Sequence, residues 1–99
     1  MEANDNDPTV LYKFGISFYA NKQFKKAVKF LKACLRAGPY NTYKPDVFYH
    51  IGLAYCRLEK FEKSIFPYSR CIDLRPTETI YIHERAKAYQ MIMKHEEAV

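Results

Sequence analysis

Three histidines and three cysteines are the residues of this chain best suited to acid–base, nucleophilic or metal chemistry, and their spacing serves none of these. His50, His83 and His95 fall in different predicted helices, with no serine or cysteine motif that marks an activated nucleophile. Each is read as a packing or hydrogen-bonding residue. Cys34, Cys56 and Cys71 are an odd, widely spaced set, without the CxxC or Cys/His spacing of a zinc site. They are read as reduced thiols used as small hydrophobic side chains. The three glycines are isolated, so no loop is built to cradle phosphate. The adjacent carboxylates Glu96-Glu97 are read as the exposed start of a helix. The expectation is a chain with no catalytic residue, metal or cofactor, and therefore not an enzyme.

Charge points to a different kind of chemistry. Lys22, Lys25, Lys26, Lys29, Lys32 and Arg36 follow one another with no acidic residue between them, against a net charge of +5 for the whole chain. At helical spacing Lys25, Lys29, Lys32 and Arg36 share one face, beside the apolar stripe Phe24, Val28, Leu31 and Leu35. Such a face is either simply solvated or a docking surface for an acidic protein tail or nucleic acid. Phosphate contacts would make binding steeply salt-dependent. Aromatic residues are not interleaved along the face, which weakens a single-strand-binding reading.

These residues need positioning elements, and composition says which. At 99 residues the chain is one domain, and 48% hydrophobic with 16% aromatic residues is ample for burial. Scarce glycine and wide apolar spacing favour an all-α fold. No run approaches the roughly 20 apolar residues of a membrane span, so no membrane insertion is expected. Met1 to Asp7 is acidic and polar, unlike a signal or transit peptide, and is expected to be flexible. With the unpaired cysteines, this leads to the expectation of an intracellular, cytoplasmic protein.

Five helices are predicted. Asp7-Pro8 supplies an acidic cap and a proline at the first helical position, and Asn21-Lys22-Gln23 is a polar break. The second helix begins at Phe24 and ends at Gly38-Pro39, where glycine accepts a left-handed cap. Pro45-Asp46 opens a third helix to about Arg57. A fourth spans about Lys60 to Leu74, and Thr77 caps a fifth from about Glu78 to Met93. His95 to Val99 reads as the start of a sixth. Pro67 deletes the bond to the Lys63 carbonyl inside the fourth helix, and is read as a tolerated bend on a solvent-facing turn.

The elements repeat. Leu11, Phe14, Gly15, Phe18, Phe24, Ala27, Leu31, Cys34 and Pro39 return 37 residues later as Phe48, Ile51, Gly52, Tyr55, Phe61, Ser64, Tyr68, Cys71 and Pro76. Ile82, Ala86 and Tyr89 begin a third copy at an offset of 34. Periods of this length mark stacked helical units. Gly15 and Gly52 are expected to face Ala27 and Ser64, letting paired helices approach closely.

Leu11-x2-Phe14-Gly15-x2-Phe18 with Ala27-x3-Leu31 and Pro39, and the second copy from Phe48 to Pro76, resemble the tetratricopeptide repeat (TPR). The resemblance implies an α-solenoid: a flexible segment 1–7, repeat 8–41, a connector insertion 42–44, repeat 45–78 and a partial repeat or capping helix 79–99. It also implies a non-catalytic scaffold or adaptor whose first helices line a concave groove. The groove candidates are Tyr12, Ile16 and Tyr19, then Tyr49, Leu53 and Cys56, then His83, Lys87 and Gln90. A tyrosine-rich floor suits a partner peptide or helix. One branch of the family clamps acidic chaperone C-termini with Lys, Asn and Arg, but the matching positions here are Tyr12, Ile16, His50, Ile80 and Glu84. Clamp-type binding is not expected. The fifth helix is apolar around much of its girth, so partner packing or self-association there is a further expectation, as is membership of a longer array or an assembly.

Overall fold

The computed structural model describes residues 7–38 and 43–98, with the backbone alone for Glu97 and Ala98. Five helices follow one another: α1 (Pro8–Ala20), α2 (Phe24–Ala37), α3 (Lys44–Arg57), α4 (Phe61–Leu74) and α5 (Thr79–Ala98). Each packs on the next, and α1 also touches α3. The stack is elongated, 52 × 29 × 19 Å.

The start of α1 is set by its cap: the Asp7 carboxylate accepts the Thr9 N–H at 2.9 Å, and Pro8 occupies the first turn, where a missing N–H costs nothing. Its end is set by a backbone lock. The Gln23 N–H reaches the Phe18 carbonyl at 2.8 Å and the Lys22 N–H reaches Tyr19 at 3.0 Å, with Lys22 left-handed at φ 65°. That pair of bonds is a Schellman motif. The same motif closes α3: Lys60 to Tyr55 at 2.8 Å and Glu59 to Cys56 at 3.0 Å, with Glu59 at φ 60°. Gly38 ends α2 at φ 84°, its N–H bonded to the Leu35 carbonyl.

Several expectations are corrected. No sixth helix starts at His95: α5 runs unbroken to Ala98, because nothing from Lys94 to Ala98 is a glycine or proline that would stop it. His83 and His95 therefore share one helix. Thr77 lies in the turn before α5, not at its cap position. Lys44, placed in the insertion 42–44, opens α3 one residue earlier than expected and is helical; of that insertion Thr42 lies outside the described residues. Pro67 is buried, not solvent-facing, because it follows fully buried Ser64 by three residues on the inward face of α4.

The core forms where α2 and α3 meet, from Val28, Leu31, Cys34, Val47, Ile51, Ala54 and Tyr55, with Leu11 of α1 added. The glycines do permit close approach, but to other residues than expected. A Cβ on Gly15 would lie 2.6 Å from the Leu31 side chain, and one on Gly52 would lie 2.6 Å from the Tyr68 ring. Ala27 and Ser64 are fully buried, and the Ser64 hydroxyl is satisfied by donating to the Phe61 carbonyl at 2.7 Å. Cys34 and Cys71 do more than fill space. Each buried thiol donates to a carbonyl 26 residues earlier, at the start of its hairpin: Cys34 to Pro8 and Cys71 to Pro45, both at 3.2 Å. Burial pushes the Cys71 thiol up to about 12.

Candidate functional site

The residues expected to line a groove lie on α1, α3 and α5. On α1, Tyr12 is half-buried with its ring 6.2 Å from Tyr43, and its hydroxyl is raised in pKa by burial first and by Asp46 second. Ile16 packs against the core. Tyr19 stands edge-on to both Phe24 and His50, at 5.4 and 5.6 Å. The His50 ring is held in turn by a hydrogen bond between its Nδ1 and the Asp46 carbonyl at 2.9 Å, with the ring nitrogen as donor.

On α3, Tyr49 joins three helices. Its ring lies 5.5 Å from Tyr81 of α5 and 6.3 Å from Tyr68 of α4. Burial, then the charge of Glu84, raises its pKa. Leu53 and Cys56 follow on the same face, with the Cys56 sulfur 3.6 Å from the Tyr68 hydroxyl. Burial and that contact together drive the Tyr68 pKa strongly upward, so the phenol stays neutral.

Between α3 and α5 lies a cleft of about 280 Å³, lined by Leu53, Cys56 and Arg57 of α3, Phe61 of α4, and Glu84, Lys87, Ala88 and Met91 of α5. Its floor is apolar and its rim charged, with Lys87 and Glu84 paired at 3.6 Å. Of the expected groove residues the cleft brings together Leu53, Cys56 and Lys87. Tyr12, Ile16, Tyr19 and Tyr49 do not line it and pack on their own neighbours. His83 is exposed and outside the lining. Sequence reasoning missed Arg57, Glu84 and Met91 as lining residues. Their signal was present: 84, 87, 88 and 91 share one helical face, and Arg57 is one turn beyond Leu53.

Lys22, Lys25, Lys29, Lys32 and Arg36 are exposed. Lys32 also sits 5.6 Å over the Tyr55 ring and Lys26 5.5 Å over the Phe18 ring, so these two stems cover aromatic surface. The ion pairs among the described residues, Arg70–Asp73 and Lys87–Glu84, leave α2 untouched. No group of His, Cys, Asp and Glu among the described residues could hold a metal ion. No helix among them is long and apolar enough to cross a membrane.

Comparison with known proteins agrees with the repeat. Two sequence models of the tetratricopeptide repeat match, one over residues 9–37 and one over residues 45–78. Thirteen chains of solved structures are similar in fold. One is a mutant of MamA, with a TM-score of 0.81 and 23% sequence identity, over 99% of this chain and 52% of that one. The chain thus spans about half the length of that protein. No curated protein matches it.

Proposed function

Because the chain belongs to the tetratricopeptide repeat family, we propose that it is a protein-interaction scaffold that seats a partner segment along α1, α3 and α5. The observation that carries this reading is the α3–α5 cleft. Its volume, about 280 Å³, falls just below the range of small-molecule sites, and suits one or two side chains of a larger partner. Leu53, Ala88 and Met91 provide apolar area, while Arg57, Glu84 and Lys87 offer charge at the rim. Tyr19 and Tyr49, wedged between other rings, make a wall that does not have to be ordered on binding.

A Leu53→Glu variant tests the reading. Leu53 is only half-buried, and the substitution sets a carboxylate into the apolar floor near Glu84. The expected result is loss of partners that co-purify with the wild-type chain, with helicity and unfolding midpoint retained. Unchanged recovery with the folded variant would remove the groove from consideration.

A second reading rests on the exposed cations of α2, which no carboxylate among the described residues pairs with. On that reading the helix binds an acidic protein surface or nucleic acid. Titration with generic RNA at low and high salt separates it from the groove reading, since phosphate contacts would vanish at high salt. No binding at low salt would sink the nucleic-acid version.

A further inference from the structure

A cationic hollow shares Arg57 with the α3–α5 cleft. Tyr19, Ala20, Lys22, Phe24 and Arg57 enclose about 470 Å³ between the ends of α1 and α3. No carboxylate lines it. A smaller hollow of about 320 Å³ adjoins it, sharing Lys22 and Phe24 and adding Lys25 and Lys26. Arg57 lines both the larger hollow and the α3–α5 cleft, so one guanidinium borders each. We propose that this hollow is an anion anchor: the groove takes an acidic peptide, one carboxylate held between Lys22 and Arg57 and a nearby apolar side chain seated in the α3–α5 cleft.

The proposal rests on the groove reading and adds the chemistry of the partner. Two features set it apart from incidental surface charge. The turn holding Lys22 is locked by two backbone hydrogen bonds, so the lysine projects from a fixed Cα. Tyr19, wedged between Phe24 and His50, lines the hollow together with Arg57, whose guanidinium stays cationic at any working pH. Neither cation is a requirement of the fold. The position equivalent to Lys22 in the second repeat is Glu59, in the same left-handed conformation, and the position equivalent to Arg57 in the first is Ala20. The scaffold accepts either charge there, and this end of the groove is positive by residue choice.

Charge complementarity selects an acidic occupant, and the surroundings favour peptide over nucleic acid. The Tyr19 and Phe24 rings are spent on one another at 5.4 Å, which leaves them poorly placed as base-stacking platforms. The α3–α5 cleft also carries Glu84, which repels a run of phosphates but not an apolar side chain.

The test is selection of a displayed library of random twelve-residue peptides on the folded chain, with anisotropy titration of the enriched peptide afterwards. The expected result is enrichment of an Asp or Glu at fixed spacing from a large apolar residue. Lys22→Glu and Arg57→Glu should each weaken that peptide by about tenfold or more, with loss on raising the salt. Both residues are exposed, so the variants should fold; circular dichroism checks this. Enriched peptides without acidic residues, lost on Leu53→Glu yet unaffected by Lys22→Glu or Arg57→Glu, would overturn the anchor and keep the groove. Acidic peptides lost on Lys22→Glu but untouched by Leu53→Glu would keep the anchor and overturn the groove. No enrichment at all, or a single-stranded RNA bound more tightly than any peptide, would overturn the proposal.

Discussion

The first hairpin closes its helices around Leu31 and the second around Tyr68, and the two differ again in the charge they expose. Both end their first helix with the same Schellman turn, and both tie a buried thiol to the carbonyl of the proline near the hairpin's start. Their exposed charges diverge. Lys22, Lys25 and Arg36 of the first repeat become Glu59, Glu62 and Asp73 in the second. The backbone and its buried polar contacts therefore define the repeat, while charge is free to be used for recognition.

The largest expected effect comes from the one core position where the hairpins differ most in stiffness. A Cβ at Gly52 would press on the flat, fully buried ring of Tyr68, whereas one at Gly15 would press on Leu31, which has other rotamers to adopt. Gly52→Ala should cost about 3 kcal/mol and Gly15→Ala nearer about 1 kcal/mol, the two ends of the usual overpacking range. Urea unfolding measures both. Adding Tyr68→Leu, the residue of the first hairpin, should recover much of the Gly52→Ala loss in a double-mutant cycle. Equal costs at the two glycines would mean that the hairpins are equally adaptable.

Next is pH. Cys71 is raised from an ordinary 9.0 to about 12, and Tyr68 is raised above its ordinary 10.0, both chiefly by burial. A raised folded-state pKa on an acid means that the unfolded chain ionises first. The stability these groups support is whole below about pH 9 and is lost as pH climbs toward about 12. The urea midpoint should therefore fall between about pH 8 and about pH 10.5, and Cys71→Ala should flatten that fall. In the first hairpin Leu31 stands where Tyr68 does, and the groups raised there are Cys34 and Tyr12, both by burial first. An alkaline loss unchanged by Cys71→Ala would place the sensitivity elsewhere.

Helix order and most helix ends were legible, because Asp7-Pro8, Gly38 and Pro45 each act on the local backbone. The partners of the glycines were not. A helical side chain leans toward the N-terminus of its helix, so Leu31 and Tyr68 fill the space at the level of Ala27 and Ser64, one turn earlier. The burial of Pro67 follows from its place three residues after Ser64 on the inward face of α4, which its missing N–H does not reveal. The cleft was half legible: Leu53, Cys56 and Lys87 follow from helical spacing, but His83 lies about 100° away from the 84/87/88/91 stripe. The hollow at Lys22 and Arg57 depends on two turns meeting in space, and no spacing along the chain encodes that.

The smallest expected effect separates the finished hairpins from α5. By repeat register Ile82, Ala86 and Tyr89 match Phe48, Gly52 and Tyr55, the stripe of α3 that meets α4. Tyr55 is 9% exposed, whereas Tyr89 is 48% and Ile82 is 45% exposed. Met93 extends the same exposed stripe at 58%. Since no second helix covers this face among the described residues, its side chains contribute little to the stack as it stands. Tyr89→Lys should change the stability of the isolated chain by no more than about 0.5 kcal/mol, the usual range for surface positions. Sedimentation across concentration adds the second readout. If the stripe joins two copies, association seen in the wild type disappears with Tyr89→Lys while the monomer's unfolding midpoint stays put. A large drop in monomer stability would instead show that Tyr89 is already part of a packed core, and that α5 closes the stack as fully as α4 closes the second hairpin.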